Sequence, residues 1–100
     1  MKDQIKRSSN KKTSFGSLEP LLKKGKNVIA ELATFHSEGR SHKHDKWEIC
    51  YVLEGKGVIV NGEKHIKVES NSVCKIPPNT GHWMIPEPYM EILLVYSDES

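Results

Sequence analysis

The chain has 100 residues, 36% of them apolar, and a formal net charge of +2, which is enough for one domain with one modest core and too little for two. Two cysteines are too few for a disulfide framework and no apolar run approaches the roughly 18 residues of a membrane span, so a reduced, cytoplasmic setting without membrane contact is expected. The charge is lopsided: residues 1–17 carry five bases (Lys2, Lys6, Arg7, Lys11, Lys12) against the single acid Asp3, an excess of +4 that leaves the other 83 residues at −2.

Residues 1–17 are therefore expected to form a basic, disordered tail, and residues 18–100 a single domain. The tail lacks the length and aromatic content that specific nucleic-acid binding needs, and no apolar segment follows its bases as in a secretory leader. Residues 18–22 read as a lead-in where Pro20 discourages a helix, and Lys23-Lys24-Gly25-Lys26 as an exposed turn. Beyond this point apolar runs of four to eight residues alternate with Gly, Asn, Pro and Ser clusters. The candidate strands are 27–36, 41–44, 47–53, 56–61, 63–68, 72–76, 82–85 and 89–96. Asn61-Gly62 is a strong hairpin signal, and Glu54-Gly55-Lys56-Gly57 reads as a second tight connection. Pro77-Pro78-Asn79 and Pro86-Glu87-Pro88 read as loops, because proline cannot donate to a central ladder. No segment holds a helical period, so the fold class is all-β, as two packed sheets or a closed barrel. In 47–53, Glu48, Cys50 and Val52 share one face, and Trp47, Ile49, Tyr51 and Leu53 the other. Both faces are largely apolar, so both are expected to be covered, one by the barrel interior and the other by a partner subunit or a second sheet.

The segment His42-Lys43-His44-Asp45-Lys46-Trp47-Glu48 places two imidazoles and a carboxylate at one strand parity. Strand residues two apart lie roughly 6.6 Å from each other on one face, close enough for both rings to reach one ion. Two histidines and a carboxylate are the facial set of non-haem iron sites, which leaves coordination positions open. A further histidine, His82, follows the rigid Ile76-Pro77-Pro78-Asn79-Thr80-Gly81 stretch.

Together these segments resemble the two motifs of the cupin superfamily, over roughly residues 27–96. His42, His44, Glu48 and Gly55 meet the first motif's spacing, and Pro77, Asn79 and His82 the second. The departures are His36 at the first motif's opening glycine (with Gly39 nearby), Asn71 and Asn79 at glycine positions, and Pro86 at a closing Asn. Asn is the mildest replacement where a left-handed backbone is needed. The resemblance implies a double-stranded β-helix, that is, a jelly-roll barrel. It also implies one divalent ion (Fe, Ni, Mn or Zn) held by His42, His44, Glu48 and His82, and a homodimer.

Four protein donors on an octahedral ion leave positions for a small oxygen-rich ligand such as a sugar acid, a hydroxy or keto acid, or an enediol. A metal-dependent enzyme of dioxygenase, isomerase or lyase type is expected ahead of a non-catalytic binding or sensor barrel. Pocket candidates are Arg40 as an anion clamp, Cys50 and Met84 as wall, and His36 from a neighbouring strand, with the small Cys50 widening the space beside the metal. Trp47, Trp83, Tyr51 and Tyr96 are assigned to packing between sheets or subunits.

Overall fold

A computed structural model describes residues 11–98. Seven antiparallel strands follow in chain order: β1 (Lys11–Lys12), β2 (Gly16–Lys24), β3 (Asn27–Phe35), β4 (Trp47–Asn61), β5 (Lys64–Glu69), β6 (Val73–Ile76) and β7 (His82–Ser97). They form one sheet ordered β1-β2-β3-β7-β4-β5, with β6 also paired to β4. Two strands are long, and their pairing makes the barrel. Trp47 to Val52 of β4 lies against Ser97 to Ile92 of β7, and Gly57 to Asn61 against Pro86 to His82. β6 extends the first half at Glu48–Tyr51 and β5 the second at Lys56–Asn61. The sheet thus folds back on itself as a jelly-roll barrel whose two halves share β4 and β7.

The corner between the halves is where the sequence reading needs correction. Glu54-Gly55-Lys56-Gly57 is no hairpin, and Pro86-Glu87-Pro88 is no loop; both lie inside continuous strands. The ladder slips between Val52 and Glu54 and again between Gly55 and Gly57. Bulges of this kind bend a strand and release it from regular pairing, so the missing proline donors cost little there. Pro20 is accommodated in the same way, beside a register shift in β2. The corner is also crowded. A Cβ on Gly55 would stand 2.0 Å from the Tyr89 carbonyl oxygen, at a backbone φ of +81°, and one on Gly57 would stand 2.2 Å from the Ile85 oxygen. Gly55→Ala is expected to destabilise the fold by about 1–3 kcal/mol, read as a lower midpoint in urea with an unchanged slope.

Other boundaries move less. The hairpin at Asn61-Gly62 exists, but its two-residue turn is Gly62-Glu63, with Asn61 paired to Lys64. The expected strand 41–44 is a single bridge between His42 and His82. Asn71 and Asn79 stand at φ +77° and +59°, the left-handed backbone for which Asn substitutes for Gly. The tail boundary changes more. Lys11–Lys12 and Gly16–Ser17 are paired strand residues, and the Phe15 ring stacks on Phe35 at 4.7 Å between centroids. The part of the expected tail before residue 11 lies outside the described residues.

The interior holds Ala33, Phe35, Cys50, Val52, Ile59, Ile76, Met84, Met90, Ile92 and Leu94. On the outward face of β4, Tyr51 and Leu53 are 38% and 37% exposed, and Val73 beside them on β6 is 62% exposed. Within one protomer, then, 47–53 is fully covered on its inner face alone. Among the described residues no helix is long and apolar enough to cross a membrane.

Candidate metal centre

His42, His44, Glu48 and His82 are brought together, with one potential ligand atom from each lying within 4.8 Å of all the others. Glu48 points inward from β4 and His82 from the start of β7, and both are buried, at 1% and 0% exposure. His42 and His44 come from the loop before β4. The bridge to His82 anchors that loop, with the His42 amide donating to the His82 carbonyl (3.1 Å) and the His82 amide to the His42 carbonyl (2.9 Å). The turn before His82 is tied in as well, since the Asn79 amide donates to the His44 carbonyl at 2.6 Å. The left-handed Asn79 thus joins the two halves of the site.

Ring orientation is set by backbone carbonyls. Nδ1 lies 3.2 Å from the Arg40 oxygen in His42, 3.0 Å from the Lys46 oxygen in His44, and 2.9 Å from the Thr80 oxygen in His82. A carbonyl only accepts, so each Nδ1 carries the proton and each Nε2 is left for the cluster. Outer hydrogen bonds of this sort orient histidines that ligate metals. At the centre, Nε2 of His44 and of His82 lie 2.9 and 3.1 Å from the same Glu48 oxygen, Oε1. That oxygen also only accepts. A neutral imidazole has one N–H, yet these two rings face an acceptor at both nitrogens. Either both rings are imidazolium, or a cation takes the place of the two inner protons. The donor set therefore fits a divalent ion. Burial pushes the Glu48 carboxyl up, but hydrogen bonds and charge from His82, with His44 and Cys50, outweigh it and hold it below the usual carboxylate range. Burial likewise pushes His82 down, and its contact with Glu48 more than reverses this.

The remaining candidates fare differently. Arg40 and Met84 line a cavity of about 220 Å³ beside Glu48 and His42. Cys50 is not in that wall: it is fully buried beneath Glu48 and donates its thiol to Oε2 at 3.3 Å. It therefore steadies the carboxylate and does not widen the pocket, and burial pushes its thiol pKa strongly up. His36 is exposed, with its ring 5.0 Å from that of Tyr89, and takes no part in the cluster. Two residues assigned to packing belong to the cavity instead. Trp83 lines it, its indole N–H donating to Glu38 at 2.9 Å. Tyr96, the register partner of Glu48, also lines it, stands edge-on to His44 at 5.4 Å and donates its hydroxyl to Glu31. Glu31 and Phe15, also in the wall, carry no motif that a sequence reading would catch.

A jelly-roll barrel that gathers three histidines and one carboxylate at one end of two strands presents a donor set of the kind that can hold a metal ion. The family model described as "Cupin domain" matches residues 28–96, and the chain belongs to the cupin family. A protein from Thermotoga maritima described as a predicted oxalate decarboxylase is similar in structure (20% identity, 97% of this chain and 96% of that one, TM-score 0.73). So is a cupin-like protein from the same organism (22% identity, 95% and 80%, TM-score 0.73). The polyketide cyclase RemF from Streptomyces resistomycificus also shares the fold (16% identity, 99% and 78%, TM-score 0.71). No curated protein matches the chain.

Proposed function

We propose that the protein holds one divalent metal ion at His42, His44, Glu48 and His82 and is a metal-dependent enzyme acting on a small, oxygen-bearing molecule. The observation that carries the metal is the pair of imidazoles with acceptors at both nitrogens, each directed at the same Glu48 oxygen. When bound, such an ion supplies Lewis acidity to an oxygen of the ligand. The protein's own contribution is orientation. Carbonyls fix the three rings, and Cys50 fixes the carboxylate. Support for an enzyme over a binding barrel comes from the cavity. Its lining includes the exposed Arg40 and a further acid, Glu31, alongside His42 and Glu48 of the cluster. Elemental analysis of protein purified without added metal tests the first step, with about one equivalent of Fe, Ni, Mn or Zn per chain expected.

We read the assembly as a homodimer formed through the outward face of β4, β6 and β7. The exposed Tyr51, Leu53 and Val73 support this, as do the apolar register pairs Tyr51–Leu93 and Ile49–Val95, which continue the patch across β7. A protomer would otherwise leave that patch in water. Sedimentation should give a dimer at micromolar concentration and a monomer for Tyr51→Lys combined with Leu53→Lys; a wild-type monomer would reject the dimer. A cytoplasmic setting is proposed on the strength of the two cysteines alone, both free and buried.

A further inference from the structure

The cavity beside the cluster is chemically one-sided. His42 and Glu48 contribute to its wall, but most of the wall is Phe15, Leu18, Phe35, Trp83, Met84 and Leu94. Its polar lining is the Tyr96 hydroxyl bonded to Glu31, on the strand residue paired with Glu48, together with Glu48, His42 and the exposed Arg40. A sugar acid carries hydroxyls along its whole length. Against the apolar wall those hydroxyls would lose water and gain no partner. Size narrows the choice further. A cavity of about 150 Å³ accommodates a benzene ring, and sites for drug-sized ligands begin near roughly 300 Å³. About 220 Å³ therefore suits one substituted ring, and the aromatic side chains around it supply faces and edges for that ring to pack on.

We propose that this cavity is the ligand site of the cluster and takes a monocyclic ligand with neighbouring hydroxyl and carboxylate oxygens gathered on the edge that meets His42, Glu48 and the Tyr96–Glu31 pair. The proposal rests on the metal reading above and narrows its ligand class. Glu31 selects a hydroxyl over a carboxylate at its position. Its carboxylate offers about four acceptor sites, of which Tyr96 uses one, and it repels a second anion. Arg40, the exposed cation of the lining and two residues before His42, receives the ligand's carboxylate. The oxygens then lie at the cluster, while the ring's bare edge faces Leu18 and the phenylalanines.

Calorimetry on the full chain loaded with cobalt(II) tests this without any turnover. 2,3-Dihydroxybenzoate is expected to bind about tenfold or more tighter than D-gluconate. Leu18→Phe, which fills the cavity, should weaken that binding by roughly tenfold at unchanged cobalt content. Leu18→Ala, which enlarges it, should keep the binding. Glu31→Gln should remove a preference of about tenfold for 2,3-dihydroxybenzoate over 2-hydroxybenzoate. Gluconate binding as tightly as the aromatic acid would overturn the proposal, as would full affinity in cobalt-loaded Leu18→Phe. Failure of the wild type to take up cobalt would remove the metal reading and this one together. Cobalt uptake without ring binding would remove this one alone.

Discussion

His82→Ala is expected to lose metal by at least about 100-fold in affinity, because losing even an outer partner of a ligand costs roughly 10–100-fold. It should also weaken the metal-free fold. His82 and Glu48 are both buried, 3.1 Å apart, and removing one member of a buried charged pair costs about 3–5 kcal/mol. The lower end applies here, since His44 still reaches the same Glu48 oxygen at 2.9 Å. In a domain of this size each kcal/mol moves the melting temperature by about 4–8 °C. The variant should therefore melt well below wild type and gain at most about 1.4 kcal/mol from metal at a concentration a thousandfold above the wild-type Kd, where wild type should gain about 4 kcal/mol. Glu48→Gln separates the two effects: it removes the charge and keeps the shape, so it should lose metal with a smaller loss of fold stability. Full metal occupancy in His82→Ala, measured by elemental analysis, would show that the ion is held elsewhere.

These four residues could be read in the sequence because each sits in a short, ordered pattern. His42, His44 and Glu48 keep a motif spacing even though the two histidines sit on a loop and not on the strand whose parity was expected to align them, and His82 follows a stiff turn. The details of their surroundings could not be read that way, although the barrel as a whole could. Its halves are joined by strands carrying Gly-Lys-Gly and Pro-Glu-Pro, and local propensity takes both for breaks. That apparent break hides the phase of Tyr96. Along an unbroken β7 the inward phase runs from His82 and Met84 to Met90, Ile92, Leu94 and Tyr96, all buried or facing the cavity. A strand ended at Pro86 discards that count. Glu31 was hidden for a different reason. In β3 both parities are mostly apolar, Val28, Ala30 and Leu32 on one and Ile29, Ala33 and Phe35 on the other, so alternation does not say which side faces in. Only the pairing of Glu31 with Leu94 places it inside. Parity puts Cys50 on the inward face with Glu48, but its place beneath the carboxylate, as donor and not as pocket wall, depends on a side-chain contact that parity cannot reveal.

Removing metal is expected to reverse the pH dependence of stability. In the metal-free protein Glu48 is held below its ordinary value of 4.5, so its contribution is complete above 4.5 and fades as pH falls through the lowered folded value. His82 is held above its ordinary value of 6.5, so its contribution is complete below 6.5 and fades as pH rises through the raised folded value. Protein treated with a chelator should thus be most stable between 4.5 and 6.5 and lose stability toward pH 8, by about 1.4 kcal/mol for each unit by which His82 is raised. With a divalent ion the slope inverts, because proton and metal compete for the same Nε2 atoms and binding strengthens as the rings lose their protons. Thermal unfolding at pH 5.5 and pH 8, with chelator and with manganese, reads both curves. They should lie closest at the acid end and diverge toward pH 8, where the ion carries the stabilisation that imidazolium supplied below. A metal-free protein whose stability does not fall above 6.5 would mean that His82 is not protonated against Glu48, and the charge balance drawn for the cluster would be wrong.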